Sequence, residues 1–356
     1  MQFKRNRTFW GTLSFLFITK GALGGEPKTA FLEPLVIQAI GDIAFTPHVD
    51  EFLLPNGNDY PFIGLRTQLR SANFTIGNLE GPIAEGGIPY QGKQFVFRMR
   101  PSVAAILKHA GVELVSLGNN HTLDQGPSGL LETIQHLKAA GVDYAGAGEN
   151  LDEARKPAIL TRGGRTIGFL SYSLTYPEAF WATPSGPGTV FGHEHFVRDD
   201  VRQLAKKVDI VIVAFHWGSE KQVAAKPYQR SLARIAVSAG ADLVIGHHPH
   251  VVQGIEVIDG VPVYYSLGNG LFGSYSNVAR WGLIARVAFN QDRAISAEAI
   301  PINVFNAEVL FQPKLFAETD ANSKLMELAS HSKKLGTIVS VHKNGVGAVS
   351  LWTSDH

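Results

Sequence analysis

The feature that most limits how this chain can fold is a recurring unit: a helix-like stretch, a glycine, a short β-branched run and a polar end. Ala110-Gly111 leads into Val112–Leu117 and then Gly118-Asn119-Asn120-His121. Ala239-Gly240 leads into Ala241–Ile245 and then Gly246-His247-His248-Pro249-His250. Between them, Val208–Phe215 runs into His216-Trp217-Gly218. Unbroken apolar runs suit strands covered on both faces, and a glycine closing a helical stretch suits a C-terminal cap. Helical patterns at roughly 102–109, 128–140, 198–206 and 228–239 separate the runs. The alternation predicts an α/β domain, in which sites form at the carboxyl ends of the strands.

From about residue 251 the pattern changes to strands without helices. Val251–Val257, Val261–Leu267, Trp281–Asn290 and Ala294–Val304 are separated by turn residues such as Asp259-Gly260 and Asn290-Gln291-Asp292. They predict antiparallel sheet that closes the fold. Residues 315–334 read as an amphipathic helix, and Thr337–Leu351 as a hairpin around Asn344-Gly345. Long repeats and low-complexity linkers are absent, so a main domain over 33–312 with a C-terminal extension over 313–356 is expected.

The first residues read as a secretory signal over 1–24. Lys4, Arg5 and Arg7 precede the apolar stretch Phe9–Ile18, and small residues around Ala22 and Gly24 follow. The apolar run is shorter than the roughly 20 residues a spanning helix needs. Export to the periplasm or the outer face of the cytoplasmic membrane is the expectation. That segment holds four of the 32 basic residues and no acidic one, leaving 28 basic against 31 acidic in the remainder. A nucleic-acid partner, which would call for a basic excess, is not expected.

The chain has no cysteine, so any metal must be held by His, Asp, Glu or Asn. Of 13 histidines, His121, His216, His247, His248 and His250 fall in three strand-end clusters. Asp42 ends the first apolar run and Glu80 follows Phe74–Leu79. Taken singly, Asp42 and Asn120 are ordinary turn formers or caps, Glu80 a loop charge and His216 a buried histidine. Their coincidence at five strand ends favours a joint site. Carboxylate, amide and imidazole donors suit Mn, Fe or Zn, and two ions would need a bridging oxygen donor. Arg98, in Phe95-Val96-Phe97-Arg98, is either a holder of an anionic substrate or a solvent-exposed arginine. His193 and His195 lie in a Pro/Gly-rich loop and read as surface or substrate-facing.

These residues resemble the bacterial capsule-biosynthesis proteins of the CapA type, associated with poly-γ-glutamate synthesis. The resemblance rests on Gly41-Asp42, Asn78-Leu79-Glu80-Gly81-Pro82, Phe95–Arg98 with Pro101, and Ser116–His121 with Asp124 and Gly126. It continues through His216-Trp217-Gly218 with Glu220, Gly246–Val251 with Gln253-Gly254, and Tyr265–Asn269, in family order over about 35–305. That family is similar to the calcineurin-like metallophosphoesterases, which implies a two-sheet α/β/β/α sandwich and a dinuclear metal site. Carried over position by position, Asp42, Glu80, Asn120, His216, His248 and His250 resemble metal ligands. His121 resembles the histidine that protonates the leaving group or steadies the transition state. The sequence departs from true phosphoesterases at position 44, where alanine stands in place of the usual first-strand histidine, and from the family at Gly270, where an aromatic is usual.

The resemblance implies an exported metal-dependent hydrolase acting on a phosphoester or amide in capsule or envelope polymer biosynthesis. Its expected partners are the anionic polymer or its precursor and membrane-bound polymer synthesis proteins. The alternative is a non-catalytic envelope subunit that assists synthesis or export, because fold is inherited more reliably than reaction. A periplasmic nucleotidase fits less well, since no second domain follows residue 312 to bind a base.

Overall fold

Fifteen strands of three or more residues are arranged along the described chain, which in this computed structural model is Glu33–Trp352 without Asp292. They are β1 (Leu35–Ala44), β2 (Phe74–Leu79), β3 (Val112–Ser116), β4 (Asp143–Ala145), β5 (Ala158–Arg162), β6 (Arg165–Ser173), β7 (Ile210–His216) and β8 (Leu243–His247). Then come β9 (Ile255–Ile258), β10 (Val261–Tyr264), β11 (Asn269–Phe272), β12 (Trp281–Asn290), β13 (Arg293–Asn303), β14 (Val339–Val341) and β15 (Gly347–Val349). The longer helices are α1 (Pro47–Asn56), α2 (Ser102–Ala110), α3 (Gly126–Ala140), α4 (Glu194–Leu204), α5 (Pro227–Ala239) and α6 (Glu318–Lys333). The signal expected over 1–24 lies outside the described residues. None of the described helices is long and apolar enough to cross a membrane.

The strands form two main sheets. One has the order β14-β15-β13-β12-β1-β2-β3-β4, with β11 also paired to β1; the other has the order β9-β10-β8-β7-β6-β5. The β1–β4 pairings are parallel, as are those linking β6, β7, β8 and β10. Strand β7 shows why the apolar runs are continuous. Ile210, Ile212 and Ala214 join Ile37, Ile76 and Leu114 between the sheets, whereas Val211, Val213 and Phe215 meet Val197, Val201, Leu232 and Ala236 of α4 and α5 outside. A third cluster packs Val103, Leu107, Leu130, Ile134 and Leu137 of α2 and α3 on the far face of the first sheet. The result is the α/β/β/α sandwich that the family resemblance implies, and it covers the two apolar faces of each strand. Gly111 and Gly240 end their helices at φ +99° and +115°, where a side chain would be strained.

Two strands differ from the sequence reading. The segment expected over 251–257 is strand only over Ile255–Ile258, because His250 takes a left-handed backbone (φ +57°) and the chain first turns past Ser266. The strand expected over 261–267 ends at Tyr264, beyond which Leu267 N–H bonds instead to the Gly246 carbonyl. The C-terminal segment is built into the sandwich. Strand β15 pairs with β13, and Leu325 and Leu328 of α6 enter the core between the sheets.

Candidate metal centre

The carboxyl ends of the central parallel strands of both sheets carry the site. In the first sheet, Asp42 on β1 is in register with Asn78 on β2, and Asn78 with Ser116 on β3. In the second, His216 on β7 is in register with Ser173 and His247. Position 41 must be glycine, because a Cβ there would lie 2.0 Å from the Gly268 carbonyl oxygen. That close approach lets Asp42 N–H bond the same carbonyl at 2.9 Å.

Six of the sequence-predicted residues converge as two ligand groups. Glu80, His216 and His248 form one, and Asp42, Glu80 and His250 form the other; the donor atoms within each lie inside 4.8 Å of one another. Asn120 joins the first group, its Oδ1 2.8 Å from His216 Nε2. Glu80 belongs to both, the position a bridging oxygen donor requires. His247 enters neither group, although its Nδ1 lies 3.2 Å from Asp42 Oδ1. His248 and His250 have φ of +95° and +57°, a costly backbone for residues with a side chain. This turn aims both rings at the carboxylates, and strain of this kind concentrates at functional sites.

Residues to which the sequence reading gave no role bond to the candidate ligands. Asn78 Nδ2 donates to Asp42 Oδ1 (2.9 Å) and Glu80 Oε2 (3.3 Å) and lies 3.3 Å from His216 Nδ1. Asn119 Nδ2 donates to Asn78 Oδ1 (3.2 Å) and the Leu79 carbonyl (2.8 Å), and Asn269 Oδ1 lies 2.9 Å from His250 Nδ1. Each lies beside or inside a motif noted for its ligand, which is the only sign of it in the sequence. Gly270 leaves no room for an aromatic, since a Cβ there would meet Ile40 Cγ1 at 2.8 Å. Phe272, two residues on, walls the site instead, its ring 4.6 Å from that of His250.

His121 lies at the edge of this cluster. Its Nδ1 is 2.6 Å from Asp124 Oδ2, and Phe97 stacks on its ring at 4.1 Å. Lys93, which no sequence signal singled out, approaches the same pair. Arg98 does not join them. It is exposed, donates weakly to the Glu85 carbonyl (3.4 Å) and lines a separate groove with Asp50, Arg100 and Gln125. The 95–99 segment alternates sides, so Phe97 faces His121 while Arg98 faces away. His193 and His195 are exposed and stack on each other, and His48 is exposed beside Tyr275.

The electrostatics are those of carboxylates and imidazoles crowded together away from water. Burial works to raise the Asp42 carboxyl, but His247 and His250 hold it well below the ordinary carboxylate range. Burial and then the charge of Asp42 push Glu80 well above that range. Burial and then His248 depress His216, and burial and then His250 bring His248 down to about 3. His250 goes the other way: burial opposes its charge, yet Glu80 and Asp42 raise it to about 10. Glu80 Oε1 and His248 Nδ1 are buried without hydrogen-bond partners among the described residues. Buried polar atoms are normally satisfied, so orphans that converge fit a divalent ion held by nitrogen and oxygen donors.

A family model described as "Bacterial capsule synthesis protein PGA_cap" matches residues 36–274, the stretch that contains every candidate ligand above. The chain is 29% identical to "Capsule biosynthesis protein CapA" of Bacillus anthracis over 76% of its length and 68% of that protein. It is 28% identical to "PGA biosynthesis protein CapA" of Bacillus subtilis over 83% and 78%. Among solved structures, a hypothetical protein from Thermus thermophilus overlays 76% of the chain and all of its own at 17% identity, with a TM-score of 0.50. Calcineurin-like phosphoesterase YfkN from Bacillus subtilis covers 79% and 88% at 14% identity and a TM-score of 0.44. On the family match and the two-sheet fold that carries its residues, the chain belongs to the bacterial capsule synthesis proteins of the PGA_cap family.

Proposed function

We propose that this protein is an exported metal-dependent hydrolase of capsule or envelope polymer biosynthesis, poly-γ-glutamate included, that cleaves a phosphoester or an amide. The observation that carries the reading is Glu80, shared by two ligand groups beside the His121–Asp124 pair. Glu80, Asn120, His216 and His248 would hold one ion, and Asp42, Glu80 and His250 the other, with Mn, Fe or Zn suited to these donors. Such ions, when bound, activate water and polarise a phosphoryl or carbonyl oxygen. The chain's own part is to fix the donors through Asn78, Asn119 and Asn269, and to bring an imidazole, His121, to the leaving group for proton exchange. With alanine at position 44, the second group has three protein donors against four in the first, which supports one tighter and one weaker ion.

The N-terminal basic and apolar stretch supports export, to the periplasm or the outer face of the cytoplasmic membrane. There the partners would be the anionic polymer or its precursor and the membrane-bound proteins that synthesise it. The deciding experiment measures metal content of the purified chain beside His216→Ala and His248→Ala/His250→Ala, with turnover of phosphodiesters and γ-glutamyl peptides. Near two equivalents of metal, lost together with turnover in the variants, is the expected result. A folded protein with neither metal nor turnover under metal-replete conditions overturns the reading and leaves a non-catalytic envelope subunit.

A further inference from the structure

Lys93 lies in the connection between β2 and α2, outside every motif that carries the family resemblance. Its side chain is only 14% exposed and crosses into the site. Nζ lies 2.5 Å from the Asn120 carbonyl, 2.7 Å from Asp124 Oδ1 and 2.9 Å from His121 Nδ1. Asp124 is fully buried, and its Oδ2 accepts the Phe97 N–H (2.7 Å) and faces His121 Nδ1 (2.6 Å).

A buried carboxylate needs a counter-charge, and Lys93 is the lysine or arginine paired with Asp124 among the described residues. With Asp124 ionised, the Nδ1 lone pair cannot face Oδ2 at 2.6 Å, so Nδ1 carries the hydrogen and donates it. The Lys93 hydrogens then serve Asp124 and the Asn120 carbonyl, while His121 Nε2 has no hydrogen-bond partner among the described residues. One ammonium therefore fixes the residue before His121 and the carboxylate that orients its ring. Phe97, from the same connection, closes the ring's face.

We propose that Lys93 is a positioning residue of the centre: through Asp124 and the Asn120 carbonyl it presents His121 with Nδ1–H held inward and Nε2 free for the reacting groups. The role given to Nε2 rests on the hydrolase reading; the arrangement of the ring does not. Two measurements keep the two apart.

The first is kinetic, on alkyl and 4-nitrophenyl phosphodiesters. Lys93→Met is expected to lower kcat on the alkyl ester on the order of 10- to 100-fold with KM nearly unchanged. The loss should be smaller with the better leaving group, and Lys93→Arg should recover part of it. In a His121→Asn background Lys93→Met should cost nothing further; an equal loss there overturns the proposal. Should Lys93→Met fail to fold, Lys93→Met/Asp124→Asn removes both charges and is expected to behave as the single variant does.

The second needs no turnover. Imidazole ¹⁵N resonances of His121 in histidine-labelled, metal-free protein, assigned by their loss in His121→Asn, are expected to show a single Nδ1–H tautomer. In the folded Lys93 variant they should show exchange between forms, and an unchanged spectrum overturns the proposal. A wild type without turnover would count against the hydrolase reading alone.

Discussion

Asp42 and Asn78 are register partners on adjacent parallel strands, and the Asn78 amide donates to Asp42 Oδ1 across 2.9 Å. Because the same amide also reaches Glu80 and His216, one neutral side chain sets the spacing of three ligands. Asn78→Ala is expected to destabilise the metal-free protein by about 1–3 kcal/mol, the cost of stranding buried acceptors. It should also weaken metal binding about 10- to 100-fold. Chemical denaturation and calorimetric titration with Mn²⁺ check the two effects separately.

The two ligand groups share only Glu80, so their ions should be separable. His248→Ala is expected to lose one ion, His250→Ala the other, and Glu80→Gln both. Elemental analysis after dialysis against defined metal reads this directly. Loss of both ions from either single histidine variant would contradict the assignment.

Protonation should control both stability and metal uptake. His250 and Glu80 are raised in the fold, so their contribution is complete below the unfolded values and lost as pH rises. For His250 the loss runs from about 6.5, the unfolded value, to about 10. His248 is depressed to about 3, so its contribution is present above 6.5 and lost as pH falls toward 3. Counting His248 and His250 alone, melting of metal-free protein should therefore be highest near pH 6.5 and decline on both sides. Metal must displace the His250 proton, so affinity should rise with pH across roughly 7–9. Titrations in buffers of different ionisation enthalpy would reveal the released proton.

Trp217 is fully buried between Phe215 and Tyr265, with Nε1 donating to the Tyr265 carbonyl at 2.9 Å. Trp217→Phe keeps most of the packing but strands that carbonyl, an expected cost of about 1–3 kcal/mol. Trp217→Ala should cost about 3–5 kcal/mol. Urea denaturation midpoints at constant m-value distinguish the two.

Much of the site was legible because its donors are local in sequence. His216, His247 and the turn through His250 follow runs that suit strands covered on both faces, which placed them at carboxyl ends on the pattern alone. His248 and His250 enter the two candidate ligand groups through the left-handed turn, and His247 enters neither. Arg98 was ambiguous in sequence because period-2 alternation does not say which side faces the centre; its neighbour Phe97 took that side.

The sequence by itself determined the alternation of strands and helices, the strand ends that carry donors and the helix caps, because each depends on patterning within a few residues; its motifs carried the family resemblance, and that resemblance implied the layer order. Only the tertiary structure decided that Glu80 is common to both groups, that Asn78 ties three ligands and that Lys93 reaches Asp124. Most of those relationships join residues far apart in the chain: Lys93 and Asp124 are 31 residues apart, Asn78 and His216 138. Their distances are set by register and by how the two sheets meet, which no local pattern encodes.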